Sequence, residues 1–155
     1  MNQINLYIFV VILIVIFSGL LYQENLNTAK KNEIVSNVNA AVKLVESKGE
    51  ASFSEFYTNK WFKGDDYIFI WQLDGIRVVY PPDTSGVGKN MTDLKDYDGK
   101  PIGKLFIETA QKGEGWVEYR WPKPGEKNPS TKLTFIKKAV YGDKAYLVGS
   151  GVYLD

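Results

Sequence analysis

Apolar residues run without interruption by charge from residue 4 to residue 22, in the segment INLYIFVVILIVIFSGLLY. As a helix, such a segment would be about 28 Å long, close to the thickness of the hydrocarbon core of a bilayer. A cleaved signal peptide is the alternative, but a basic n-region and a small-x-small cleavage site are not evident. The pattern therefore favours an uncleaved membrane anchor over residues 1–23.

A different pattern begins at Glu24, where polar residues appear and the apolar ones become periodic. The later members follow the i, i+4, i+7, i+8 spacing of an amphipathic helix, namely Ile34, Val38, Ala41, Val42 and Val45. Gly49 is a natural helix stop, so we expect a helix over residues 24–48. Its apolar stripe would cover one face of a sheet, and its upper turns could also pair with a second copy in a homodimer.

Alternation and turn signals divide the rest of the chain into strands and one helix. The Asp74-Gly75 and Gly142-Asp143 pairs are hairpin signals, and Pro101 suits the first turn of a helix. Strands are expected over residues 67–73, 76–80, 115–121, 132–140 and 145–153. This order predicts an α+β fold, with a five-stranded antiparallel sheet and the long helix on one of its faces.

Large aromatic side chains concentrate in the segment 115–125, GWVEYRWPKPG. Strand alternation places Val117, Tyr119 and Trp121 on one face. The first strand contributes Tyr67, Phe69 and Trp71. Aromatic side chains can form the walls of a small-ligand pocket, and they lose little conformational entropy on packing because they have few rotatable bonds. An aromatic box is the functional interpretation, and an ordinary aromatic core is the alternative.

Two lysines compete for the polar end of this box. Alternation in the strand 132–140 places Lys137 on the face of Leu133 and Phe135, and Lys132 on the other face. A lysine in an apolar row needs an anion or a path to water. We expect Phe135 to join the aromatic box and Lys137, ranked above Lys132, to bind a small organic carboxylate. A strand bulge would be needed to turn Lys132 inward.

Composition removes most catalytic and metal chemistry. The chain has no His and no Cys, which excludes thiol nucleophiles, Ser-His dyads, the usual zinc sites and disulfides. Asp93, Asp96 and Asp98 do not match the spacing of a calcium loop. A net charge of +1 gives no argument for nucleic acid. We expect no enzyme activity, cofactor, metal or nucleic-acid partner.

Several motifs, in their order and spacing, resemble the single Cache domain family: YIFIWQLDG, YPPDTSGVGKNMTDLKDYDGK, GWVEYRWPKP, Lys132 before TFIKK, and GSGVY. The resemblance covers roughly residues 24–155. It implies an extracytoplasmic PAS-like sensor module of the kind found in chemoreceptors and sensor kinases, with a pocket between the sheet and the segment 82–106. It favours Lys132 as a ligand-binding residue. It also adds Tyr80, which stands where such domains often have a His before Pro.

The resemblance sets the expected organisation: an anchor over residues 1–23 and one ligand-binding domain over residues 24–155, in a single-pass membrane protein. Lys30 and Lys31 favour a cytoplasmic domain under the positive-inside rule, but the resemblance implies an extracytoplasmic one. No signalling domain precedes Asp155, so the module would act alone or through a separate signalling partner. The rival is a pilin-like surface subunit, but residues 1–22 lack the Glu that pilins carry in their apolar run.

Overall fold

The computed structural model of the protein describes residues 3–154, with side chains from Tyr7 onward. Met1 and Asn2 of the expected anchor, and Asp155 of the expected domain, lie outside the described residues. The helices are α1 (Gln3–Lys48) and α2 (Ile102–Gln111), with 3-10 turns at Gly49–Tyr57 and Thr84–Gly86. The strands are β1 (Phe62–Lys63), β2 (Asp66–Tyr67), β3 (Phe69–Gln72), β4 (Arg77–Val79), β5 (Glu114–Pro122), β6 (Pro129–Tyr141) and β7 (Lys144–Tyr153).

Helix α1 contributes to two compact units, Met1–Glu33 and Ile34–Asp155. In the first unit, the side chains from Tyr7 to Glu33 are exposed. Within residues 3–154, α1 is the one helix long and apolar enough to cross a membrane. The expected boundary between residues 23 and 24 falls inside this helix, because no Gly or Pro interrupts residues 20–48.

The main sheet has five strands in the order β4-β3-β7-β6-β5, and every neighbouring pair is antiparallel. The predicted fold class is therefore confirmed. Gly75 and Gly142 have φ angles of +100° and +61°, which glycine adopts at little cost, and this allows both predicted hairpins. Sequence patterning missed the separate β1–β2 pair, because two residues are too few to show alternation.

Both faces of the main sheet are buried. One face packs against α1 through residues such as Val38, Val42, Ile70 and Val148. The other packs against α2, where Phe106 meets residues of β3, β5 and β7. Since successive residues of a strand point to opposite faces, β3, β6 and β7 carry apolar side chains on both sides.

Asp96 fastens the loop between β4 and α2 to β5. Its Oδ1 accepts hydrogen bonds from the backbone N–H of Asp98 at 3.0 Å and of Lys100 at 2.8 Å, and its Oδ2 accepts from the backbone N–H of Arg120 at 2.9 Å. The backbone N–H of Tyr97 donates to the carbonyl of Arg120 at 3.2 Å. Burial acts to raise the pKa of Asp96, but the three backbone donors lower it overall.

We expect Asp96→Asn to lower the free energy of unfolding at pH 7 by about 1–3 kcal/mol, because the amide nitrogen cannot accept from Arg120. The native pKa is lowered, so ionised Asp96 stabilises the fold above its unfolded pKa of about 3.9. That stabilisation is lost as pH falls through the native pKa. Denaturant unfolding should show the difference from wild type shrinking below about pH 4. Exposed Asp98→Asn is the control, and an equal loss in both variants would contradict this role.

Candidate functional site

A cavity of about 20 Å³ lies between the sheet, α2 and the loop that precedes α2. This volume accommodates about one water molecule. Most of its walls are aromatic, and the lining residues are Tyr67, Phe69, Trp71, Arg77, Tyr80, Leu94, Ile102, Phe106, Tyr119 and Trp121.

Phe106 of α2 forms the centre of the aromatic wall. Its ring centroid lies 5.7 Å from that of Phe69, 5.5 Å from that of Trp71 and 5.3 Å from that of Tyr119. Such aromatic pairs contribute about 0.5–1.5 kcal/mol each beyond the area they bury. Helix α2 can approach closely because Gly103 has no Cβ, which would collide with the carbonyl oxygen of Met91. The wall is therefore packed from both the sheet and the helix.

A wider cleft of about 620 Å³ lies outside the cavity. Four residues line both spaces and form the boundary between them: Arg77, Tyr80, Leu94 and Trp121. The indole Nε1–H of Trp121 donates to the hydroxyl oxygen of Tyr80 at 3.3 Å across this boundary. A ligand larger than water can fit in the cavity only if some of its lining side chains move.

Arg77 is the cation that lines the inner cavity, and sequence analysis missed it. The residue is 8% exposed, and its guanidinium carbon lies 4.3 Å from the ring centroid of Tyr80 and 5.8 Å from that of Trp71. Its Nε has no hydrogen-bond partner, and no carboxylate of residues 3–154 forms an ion pair with it. Burial lowers the pKa of Arg77, opposed by Tyr80 and Asp83, yet an arginine of this kind stays charged.

Trp71 supplies a second unpaired donor at the same cavity. Its side chain is 2% exposed, and its indole Nε1–H has no acceptor in the described part of the chain. A buried donor without a partner costs about 1–3 kcal/mol. An acceptor that entered the cavity could satisfy both Trp71 and Arg77, and a carboxylate carries two acceptor oxygens.

The position of Arg77 could not be found by alternation, because β4 contains one extra residue. Ile70 pairs with Val79, whereas Trp71 pairs with Arg77, so Val78 is left over as a bulge. A bulge breaks the two-residue period. As a result, Val79 packs on the α1 side while Arg77 lies at the cavity. The available signal was the charge of Arg77 inside the apolar segment IRVVY.

The structure brings together six of the predicted site residues, since Tyr67, Phe69, Trp71, Tyr80, Tyr119 and Trp121 all line the cavity. The predicted placement of Phe135 and Lys137 is wrong. Phe135 packs in the core on the α1 side, and Lys137, two residues on, pairs with Glu114 at 2.7 Å. The reason is that both sheet faces are apolar, so the apolar row of Phe135 did not identify the cavity face.

Lys132 is on the cavity side of β6 without any bulge, because β5 and β6 pair in regular register through Tyr119 and Lys132. The residue is 0% exposed. It lies behind Tyr67 and does not line the cavity: its Nζ donates to the hydroxyl oxygen of Tyr67 at 2.7 Å and to that of Tyr153 at 3.4 Å. Lys132 therefore reaches the cavity through Tyr67.

Known proteins support the sensor interpretation of this fold. The sensor histidine kinase MctS of Rhizobium johnstonii is 32% identical over 145 residues, which cover 86% of this chain and 31% of the kinase. The methyl-accepting chemotaxis protein McpP of Pseudomonas putida is 32% identical over 92 residues, which cover 59% of this chain and 16% of that protein. This chain thus spans less than a third of the length of either relative.

Two solved structures share the architecture at 26% identity each. A periplasmic sensor domain of a chemotaxis protein superposes with a TM-score of 0.74, covering 83% of this chain and 97% of that one. A Cache chemosensory domain, described for its recognition of carboxylic acids, gives a TM-score of 0.69 and covers 85% and 98%. The family model of the Cache domain matches residues 15–155. The predicted resemblance is confirmed, and the chain belongs to the Cache domain family.

Proposed function

We propose that this protein is a membrane-anchored sensor module that binds a small organic carboxylate outside the cytoplasm. The observation that carries the proposal is the pair of buried, unpaired N–H donors, Arg77 Nε and Trp71 Nε1, that line one cavity. The description of a Cache relative as recognising carboxylic acids supports the same chemistry. The family match gives no support to a pilin-like subunit.

The charge and the aromatic lining of the cavity favour a short monocarboxylate. Arg77 is the one charged residue among those that line the inner cavity, so it can balance a single carboxylate. A charge-assisted hydrogen bond of this kind is worth about 1.5–3 kcal/mol. The aromatic walls would contact a short alkyl group, and because the cavity has a volume of about 20 Å³, a short ligand would require the least displacement of these walls.

Location and signalling output complete the proposal. The exposed apolar surface of α1 would anchor the protein in a single membrane pass, and a periplasmic relative supports an extracytoplasmic position for residues 24–155. Relatives named as a sensor kinase and a chemotaxis protein support a role in signal transduction. The module would act on a signalling partner, and the α1 segment 24–48 is the proposed homodimer contact.

The ligand is testable on the full-length protein in detergent micelles, by calorimetric titration with acetate, propionate and neutral propionamide. We expect both carboxylates to bind and propionamide to bind far more weakly. Arg77→Met should weaken carboxylate binding by about ten- to a hundredfold, because it removes the charged donor. Trp71→Phe keeps an aromatic ring but removes one donor, and should weaken binding by about fivefold.

Lys137→Met is the matched control, because Lys137 is a lysine that pairs with Glu114 away from the cavity. We expect this variant to change affinity by less than about twofold. Equal binding of propionate and propionamide, or equal effects of Arg77→Met and Lys137→Met, would overturn the carboxylate proposal.

Topology is tested separately by adding protease to intact cells or spheroplasts that express the protein. We expect digestion of the globular part and retention of the full-length protein in membranes before digestion, because the apolar segment 4–22 stays attached. Protection of the globular part until the membrane is permeabilised would place it in the cytoplasm. Soluble protein that begins near residue 20 would show instead that the segment is a cleaved signal.

A further inference from the structure

We propose that Lys132 is a positioning residue that sets which way the hydroxyl hydrogen of Tyr67 points, and so makes carboxylate binding depend on the proton carried by Lys132. The inference rests on the proposed function, because it concerns an anion in the cavity. It starts from an unusual arrangement: a lysine that is 0% exposed and, among residues 3–154, has no carboxylate in ion-pair contact.

Two tyrosines enclose the ammonium group of Lys132. The Nζ lies 4.2 Å from the ring centroid of Tyr67 and 4.5 Å from that of Tyr153, and it contacts both hydroxyl oxygens. The hydroxyl of Tyr153 donates its own hydrogen to the carbonyl of Pro122 at 2.7 Å. Tyr153 can therefore only accept from Lys132. The Tyr67 hydroxyl is also in hydrogen-bond contact with the hydroxyls of Tyr80 and Tyr153, so its hydrogen can point to Tyr80, on the cavity side, and is not held by a carbonyl as that of Tyr153 is.

The direction of the Tyr67 hydroxyl follows from hydrogen-bond chemistry. An ammonium group has donors and no acceptor. While Lys132 is protonated, the oxygen of Tyr67 must accept from it, and the Tyr67 hydrogen points away from Lys132. On the cavity side it can be accepted by the hydroxyl of Tyr80 or, in its place, by a bound carboxylate. A neutral amine has a lone pair, so it can accept the Tyr67 hydrogen. Tyr67 would then present only lone pairs to the cavity, which disfavours a bound carboxylate.

Lys132 is the group in this cluster that changes charge near neutral pH. Burial lowers the pKa of Lys132 to about 7, although Asp65 and Asp66 act at a distance to raise it. Burial raises the pKa of each neighbouring tyrosine for which a shift is resolved, and these residues stay neutral: Tyr67, Tyr119 and Tyr153. Two further cations lie near this cluster: Arg77, at the cavity, and Lys123, whose Nζ lies 5.7 Å from the ring centroid of Tyr153.

Thermodynamic linkage fixes the sign of the coupling between protonation of Lys132 and binding of the carboxylate. A bound anion favours the protonated state, so the pKa of Lys132 should be higher in the complex than in the free protein. Binding then takes up a proton, and affinity falls as pH rises from about 7 toward the pKa of the complex, by at most about tenfold per pH unit. Below pH 7 the affinity should be nearly constant, because Lys132 is already protonated and the ligand remains ionised down to about pH 5.

The experiment is calorimetric titration of the full-length protein in detergent micelles with propionate, between pH 6 and pH 9. At each pH, buffers of different ionisation enthalpy report the number of protons taken up. For wild type we expect an affinity loss of about five- to tenfold between pH 7 and pH 8.5, with net proton uptake near pH 7.5.

Two variants separate this mechanism from a general effect of pH. Lys132→Met is close in volume and cannot titrate, so its affinity should depend little on pH. Because the thioether neither donates to the Tyr67 oxygen nor competes strongly for the Tyr67 hydrogen, we expect this affinity to lie between the wild-type values at pH 6 and pH 9. Tyr67→Phe keeps Lys132 but removes the hydroxyl, and should also flatten the profile. Lys137→Met should keep the wild-type profile. If Lys132→Met does not fold, the role of Lys132 is still tested by the proton uptake of wild type and by the pH dependence of affinity in Tyr67→Phe.

A wild-type affinity that is constant from pH 6 to pH 9 would overturn this inference while leaving the proposed function intact. The same holds if Tyr67→Phe or folded Lys132→Met keeps the wild-type slope. If propionate and acetate fail to bind wild type at every pH, the proposed function fails, and this inference fails with it.

Discussion

Burial of both faces of the main sheet fixes the register of β6 and β7, and the site depends on that register. Each residue of these strands points either to α1 or to the cavity, and a shift of one residue would exchange the two faces. Such a slip would bring Lys137 to the cavity side and Lys132 to the α1 side. Because apolar residues occupy both faces, their burial resists the slip, and Lys132 is held behind Tyr67.

Local signals in the sequence were enough to predict the fold. Regular alternation was enough to predict most of the residues that form the aromatic wall of the cavity. Gly49, Gly75 and Gly142 marked the ends of elements correctly, because each has a positive φ that other residues rarely adopt. Alternation in β5 placed Tyr119 and Trp121 on the face where the structure has them.

The polar part of the site was harder to predict, for two physical reasons. In β6 the hydrophobic pattern does not distinguish the faces, so Phe135 was assigned to the cavity when it packs on the α1 side. In β4 the extra residue Val78 changes the phase of the strand, and a bulge leaves no clear mark in one sequence. Arg77 and Lys132 both contact aromatic rings, a setting that only the three-dimensional pairing reveals.

Among the described residues, Arg77 and Lys132 are buried cations that no carboxylate pairs with, and this has consequences for the effect of a bound ligand. Isolated charges in a protein interior are costly, and aromatic faces offset only part of that cost. An anion that bound near Arg77 would offset the cost of burying this charge, so the occupied state would be more stable than the empty one. Arg77 lines the wider cleft as well as the cavity, so an anion could approach it first from the cleft. Further entry into the cavity would displace the boundary side chains Tyr80 and Trp121.

The attachment of Asp96 to Arg120 also bears on association between molecules. β5 is an outermost strand, and a free strand edge is a template on which another chain can add a strand. Here Arg120 has both its N–H and its carbonyl bonded to the Asp96–Tyr97 segment, the carbonyl of Glu118 accepts from Lys100, and Pro122 has no N–H to offer. The loop that helps to form the pocket therefore covers the end of β5 and disfavours the addition of another strand at this part of the edge.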